Sequence, residues 1–455
     1  MRNSIYKLEF KLFFRNPSSL IGIAVILLSG FIGLYLGKTF IQKQELVIEK
    51  ASALQRKNTL TNVEHFGDEL GLLLFHNKFS IANVPNPWAA FANGQRDVNP
   101  YLISVTMLGL EGQIYDTDIN NPVTLLLGNM DLSFVFIFLF PLVIIAFNYN
   151  LLSAQKEGGV WSLLRSQSDK SLGIIWKKML VRIAVIFSVA FLLIISAIIY
   201  LGLPIDFTLA ITCIVIILYL TFWFGVSFLF ISFNKSSNFN ASGLVAVWVM
   251  LCIVIPASVN LFLTQKFPVP EALQNVINQR EGYHEKWDKA KEVTMKPFFE
   301  HYPQLKKYPF PEEKAFSWYW YYAMQQMGDD QAFESRKAVE RKLQSRQDFT
   351  RIIALFFPSI QTQIAMNELA SSDLNAHLNF QNSVRKYHEL IRLNFYPSIF
   401  QEKLVRSTNL LDYKLQKYNP KQIRTVWSGL FSILTSIILL FSIAYLNFKR
   451  GKFID

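Results

Sequence analysis

Gly33, Gly37, Lys38 and Thr39 are the residues of this chain that come nearest to a phosphate-binding loop. Such a loop needs Gly, four residues, then Gly-Lys-Ser/Thr, so that backbone N–H groups wrap the phosphates. The spacing fails by one position, because the first glycine would have to stand where Ile32 does. The stretch also closes an uncharged apolar run, which predicts a membrane helix ending in a lysine that snorkels to water. His65, His76, His284 and His301 are the candidate metal ligands, but none has the spacing of a metal motif. The run from His284 to Asp288 is not the His-Glu-x-x-His of zinc proteases. Neither a catalytic set nor a metal site is expected, and no cofactor is expected on this chain. The aromatic run from Ser317 to Met324 could stack on a ligand; core packing or a headgroup-level belt is the plainer expectation. Arg96 and Asp97 are adjacent before Asn99-Pro100, as in a turn locked by a local ion pair or a contact to an outside partner.

The elements around these residues are set by composition. Of 455 residues, 51% are hydrophobic and 17% charged, below the ~25% charge of soluble chains. About 20 apolar residues span a bilayer. Six windows free of Asp, Glu, Lys and Arg qualify: 18–37, 132–150, 183–203 within a span of 173–203, 207–232, 239–264 and 425–448. A charge at the bilayer centre costs about 2.5–3.5 kcal/mol on insertion scales, and six such gaps are hard to explain in a soluble fold. The first window is long and is followed by no small-x-small cleavage site, so it is read as a retained span. Cys213 and Cys252 both lie inside apolar windows and read as small core hydrophobes.

Six spans put both termini on one side. With that side cytoplasmic, the polar pieces 1–17, 149–182, 232–241 and 449–455 hold 14 Lys/Arg and 4 Asp/Glu in 68 residues. The remaining polar chain holds 31 Lys/Arg and 29 Asp/Glu, so most of the net +12 sits on the inner side. Positive charge spread over short juxtamembrane loops does not read as nucleic-acid binding. The expected class is an all-α polytopic inner-membrane protein with six transmembrane helices and two extracytoplasmic domains, 38–131 mixed α+β and 265–424 mainly helical. In the first, 42–58 has helical period and 101–116 alternates as one or two strands. In the second, one helix is expected to stop at Pro297, one to start at Asp329 or Asp330 and run to Pro358, one to start at a serine near 371, and one to cover 399–418.

On the cytoplasmic side, residues 1–17 form an interfacial helix, with Leu8 and Leu12 on an apolar face and Arg15 before Asn16-Pro17. Between spans two and three, 151–172 carries Lys156, Glu157, Gly158, Gly159, Val160, Trp161, Leu163 and Leu164. Glu157 suits a helix start, and the Trp/Leu face needs a headgroup layer or a soluble partner. The run Lys156 to Val160, followed by Leu163-Leu164 and Ser166, resembles the coupling helix of ABC-2-type exporter permeases. The stretch from Glu9 to Pro17 and the six-span count resemble that family too. Gln155 and Val160 depart from its usual acid and threonine.

The resemblance implies a separate ABC ATPase subunit that carries ATP and Mg²⁺ and docks at residues 155–166, and a second permease subunit, identical or paralogous. It implies export through the spans. The alternative is force transmission to a periplasmic or envelope partner with nothing passing through them. Pro141 and Pro256, inside spans two and five, read as hinges or as plain kinks.

Overall fold

The computed structural model describes residues 2–115, 130–166, 171–402, 410–420 and 426–450, and the side chains of all of these but 2–5, 164–166 and 171. Helix α1 (Arg2–Arg15) ends at Asn16, whose side chain accepts from Ser18 N and caps α2 (Pro17–Phe66). Pro17 stands at the first turn of α2, where its missing N–H costs nothing. With no Gly or Pro between Lys38 and Phe66, nothing ends the helix at the membrane surface. It runs 50 residues, about 75 Å at 1.5 Å per residue. The first span and the mixed-charge run after it are therefore one rod. Gly33 and Gly37 lie on its buried face: a Cβ at 37 would stand 1.9 Å from Ala90 O, so the glycine lets a 3₁₀ turn (Pro87–Ala90) press on the helix.

Five more helices are long and apolar enough to cross a membrane, making six with α2. Helix α5 comprises Leu132–Phe134, a π-turn Val135–Leu139 and Phe140–Asn148. Helices α8 (Ser171–Leu201) and α9 (Phe207–Ser232) follow. Helix α10 comprises Ser237–Val249, a π-turn Met250–Val254 and Ile255–Lys266, and α16 is Trp427–Arg450. The protein is a multi-pass helical membrane protein. Helix α9 is the centre of the bundle, with Tyr219, Trp223 and Phe224 fully buried in its core.

The polar segments build one body, not the two domains expected. After α3 (Leu70–His76), strands β1 (Phe79–Asn83) and β2 (Leu102–Val105) pair antiparallel, Phe79 opposite Val105. Strand β3 (Gln416–Tyr418), from the far end of the second segment, pairs parallel with β1, Ile81 opposite Gln416. The core is shared as well: Phe79, Ile103 and Val105 pack in one cluster with Phe298, Tyr322 and Phe395.

Helix α4 (Leu110–Tyr115) replaces the second half of the expected strand pair, because Asp329 accepts from the N–H groups of Leu110 and Glu111 and so starts a helix there. Asp329 itself lies inside α13 (Trp318–Ala354), which Ser317 caps twelve residues earlier than expected. Arg392 reaches Asp329 at 2.9 Å and Leu108 O at 2.9 Å, and Arg385 reaches Glu111 at 2.9 Å, so buried charges join the two segments.

The second segment otherwise consists of α11 (Glu271–His284), α12 (Lys291–His301), α14 (Pro358–Leu369) and α15 (Leu374–Phe400). Pro297 is inside α12 instead of ending it, and Asp373, not serine, caps α15. The expected helix over 399–418 is not formed: α15 ends at Phe400, a 3₁₀ turn covers Leu410–Asp412 and β3 follows, because pairing with β1 overrides local period. Its residues 403–409 lie outside those described, as do 116–129 of the first segment and 451–455 of the tail.

Helix α14 leaves the polar body and enters the bundle. Ala365, Met366 and Leu369 belong to the same buried cluster as the spans.

Candidate coupling site

The chain crosses the bundle six times, so α1, the link between α5 and α8, the turn between α9 and α10, and the end of α16 share the end opposite the polar body. Contacts tie them: Glu9 pairs with Lys178 at 3.0 Å, and Asn447 Nδ2 donates to Ser232 Oγ at 3.1 Å.

The link is built from two short helices, α6 (Ser153–Glu157) and α7 (Trp161–Ser166), so Glu157 ends one helix instead of starting one, because the chain turns at Gly158-Gly159. Gly159, at φ +70°, makes the turn between them in a conformation that residues with a side chain rarely adopt. Helix α6 is fastened to the start of α10. Glu157 accepts from Ser237 N at 2.7 Å and from Ser237 Oγ at 2.8 Å, so a carboxylate sits on the positive end of the fifth span. Lys156 Nζ donates to Asn234 Oδ1 in the α9–α10 turn. Ser153 Oγ meets Ser237 Oγ at 2.8 Å, and Asn240 donates to Tyr149 O at 3.1 Å. The second and fifth spans are thus joined at one end through four side-chain contacts.

The expected residues divide into two groups. Glu157, Gly158, Gly159, Val160 and Leu163 face outward, with Val160 48% and Leu163 59% exposed. Trp161 does not: it is 9% exposed, packs into the bundle core and lies under Lys156, with Nζ 5.9 Å from the ring centroid. A tryptophan buries more apolar area than any other side chain, and turning it inward anchors α7 to the spans. The side chain of Leu164 lies outside the described residues. In α1, Leu8, Leu12 and Arg15 are exposed while Phe13 is buried against the bundle. That arrangement suits a helix lying on lipid.

The same two spans are the kinked ones. A π-turn precedes Pro141 in α5 and Pro256 in α10, and each proline removes an N–H and frees a carbonyl four or five residues back. Other helices bind carbonyls of these kinks. Tyr219 Oη donates to Ile137 O at 2.8 Å, Trp248 Nε1 to Phe138 O at 3.1 Å, and Ser359 Oγ to Leu251 O at 2.6 Å. Ser359 belongs to α14, so the fifth-span kink is bonded to the helix that connects bundle and polar body.

The remaining sequence candidates have structural partners. Tyr319, Trp320 and Tyr322 are buried in the polar core. His301 Nδ1 is 2.9 Å from Asp330, His65 Nδ1 is 2.8 Å from Thr61 O, and His76 stacks on Phe66. Among the described residues, no three His, Cys, Asp or Glu side chains form a metal-binding group. Arg96 bonds to Gln44 and to Asn83 O. Ser237, Asn234, Tyr219 and Ser359 were not expected, and only the Asn234-Lys235-Ser236-Ser237 turn carries a local signal, a helix start.

Fold and site together define a helical membrane protein whose kinked second and fifth spans are joined at their basic ends. Residues 273–415 match a family model described as a domain of unknown function, DUF3526. That match covers most of the second polar segment and stops short of the spans. Comparison with curated proteins gives no match, and neither does comparison with solved structures.

Proposed function

We propose that the chain is the membrane subunit of an ABC-2-type export system in a bacterial inner membrane, both termini cytoplasmic, worked by a separate ATPase subunit that carries ATP and Mg²⁺. The supporting observation is that α6 is bonded through Glu157 and Lys156 to the start of α10. A subunit pushing on the exposed surface of Val160 and Leu163 moves the ends of the second and fifth spans together, and both have a kink at which to bend. The basic charge at this end supports its cytoplasmic placement. The bilayer covers the exposed faces of the spans, and a second permease, identical or paralogous, covers part of them.

Transmission of force to the polar body, in place of passage through the spans, is the second reading, and a specific observation favours it. Helix α2 continues unbroken from the membrane into the polar body, and α14 joins that body to the bundle core. Bundle motion then becomes motion of the external body, against a periplasmic or envelope partner.

The test uses the full chain, tagged and purified from its host membrane in mild detergent. The wild type is expected to carry ATPase activity with it. The double variant Val160→Asp/Leu163→Asp, with both changes on exposed positions, is expected to purify with the same Tm and without that activity. Wild-type material free of ATPase activity, or a double variant that retains it, sinks the proposal.

A further inference from the structure

We infer that the fifth span and the polar body together hold one amphiphile, a lipid whose head is uncharged and both donates and accepts hydrogen bonds. The site is a cleft of about 250 Å³ between α10, the end of α13, α14 and the start of α15. One wall is α10 from Pro256 to Leu263, and the facing wall belongs to the polar body and α14. At 1.5 Å per residue, Pro256 and Leu263 stand about 28 and 39 Å along α10 from Ser237. The hydrocarbon layer is about 30 Å thick, so the cleft straddles its edge at the polar-body end. Next to Pro256 on the side of the bilayer centre, Ile253 and Val254 are 50% and 40% exposed.

The lining has two parts. Val259, Leu263, Ile360, Ile364 and Leu374 supply aliphatic surface. Gln95, Asn260, Gln347, Gln363 and Asn367 supply five side-chain amides, and none of the five makes a side-chain hydrogen bond to another described residue. Each amide keeps a carbonyl acceptor and an NH₂ donor for what enters. An apolar surface with a few convergent polar groups is the lining of a ligand site. Water bonds to the amides but leaves the aliphatic half wet, whereas an amphiphile covers both halves.

Charge narrows the head. No Lys, Arg or His lines the cleft. The cations beside the lining residues are engaged elsewhere: Arg96 with Gln44, Lys266 Nζ over the Phe349 ring at 4.3 Å, Arg346 with Phe267 O and Arg351 with Glu368. A phosphate leaving water there meets no counter-charge and faces the Asp373 carboxyl, so the anionic heads of bulk phospholipids are rejected. Asp373 does not select a cation in their place. It is the cap of α15, accepting from Asn375 N at 3.2 Å and Ala376 N at 3.4 Å, and burial, then Glu368, push its pKa up. Thr350, the remaining polar side chain, donates to Arg346 O at 2.7 Å. An uncharged head bonds to the amides while its chain follows the aliphatic surface past Ile253 into the bilayer. The α10 wall begins at the kink proline, so bending there changes the width of the cleft.

The experiment reconstitutes the full chain in phosphatidylcholine nanodiscs with a monoacylglycerol that carries a diazirine on its chain. Irradiation is expected to label the protein saturably, on α10 beyond Pro256 or on α14. Unlabelled monoacylglycerol or an N-acylglycinamide is expected to displace the probe, and the better competitor tells whether hydroxyl or amide heads are preferred. Phosphatidylglycerol and an alkyltrimethylammonium are expected not to displace it. The double variant Asn260→Leu/Gln363→Leu, changed at two exposed positions, is expected to keep its Tm and to need about tenfold more probe for half-saturation. Labelling that rises linearly with the probe is ordinary bilayer contact and overturns the proposal. So does displacement by either charged lipid, or half-saturation unchanged in the double variant. The readout is labelling and not ATP turnover, so this outcome is separate from that of the docking test.

Discussion

At the scale of single residues, the polar body is specified by charges that sequence alone would place on a surface. Arg392 is fully buried, and its guanidinium meets Asp329, Leu108 O and Gln326. Asp329 in turn holds the first turn of α4. Removing one member of a buried pair leaves the other uncompensated, which costs about 3–5 kcal/mol. Arg392→Leu is therefore expected to lower the stability of the full chain by that order, measured by denaturant unfolding in micelles. Pairing it with Asp329→Asn should recover part of the loss, whereas additive losses would show that the two side chains act separately. Trp161 teaches the complementary lesson. In the sequence it stands beside Val160 and Leu163 as one apolar face, and the helix turns it into the bundle while its neighbours stay out.

At the scale of elements, the informative pair is α6 and α10. They lie 80 residues apart in sequence at Glu157 and Ser237, yet a carboxylate of one completes the helix start of the other. Glu157→Ala removes both hydrogen bonds and leaves Val160 and Leu163 in place. If the chain works with an ATPase as proposed, that partner is expected to remain bound, with its turnover no longer responding to the membrane subunit. ATPase assays of the purified complex, with and without reconstitution into lipid, read this directly. Loss of binding in Glu157→Ala would mean that the carboxylate is itself a docking contact and not a link between spans. The kinks in α5 and α10 belong to this scale as well, since each proline's freed carbonyl matters only through the donor another helix supplies.

At the scale of the whole molecule, the polar body is one folding unit assembled from both long segments. Strand β3 completes a sheet begun more than 300 residues earlier, and the shared core contains Phe79 from one segment and Phe395 from the other. Residues 38–131 expressed alone are expected to lack a cooperative unfolding transition, and 265–424 alone likewise. Mixing the two, or joining them by a flexible linker, should restore one. Cooperative melting of either segment by itself would contradict the shared core.

What the amino-acid sequence determined by itself is the part governed by local rules. The six apolar windows, the break at Asn16-Pro17 and the excess of basic residues at one end follow from transfer free energy, backbone sterics and charge counting, all of which act within a few residues. In the link between the second and third spans, the outward Val160 and Leu163 were legible in the sequence. What the tertiary structure alone decided is everything that depends on a distant partner: the union of the two polar segments, the strand at Gln416–Tyr418, the inward turn of Trp161, the cap at Ser317, and the bonds from Glu157 to Ser237 and from Ser359 to Leu251. Buried polar groups must find partners wherever the chain brings them, and residues at such separations carry no periodic signal to announce which partner that is.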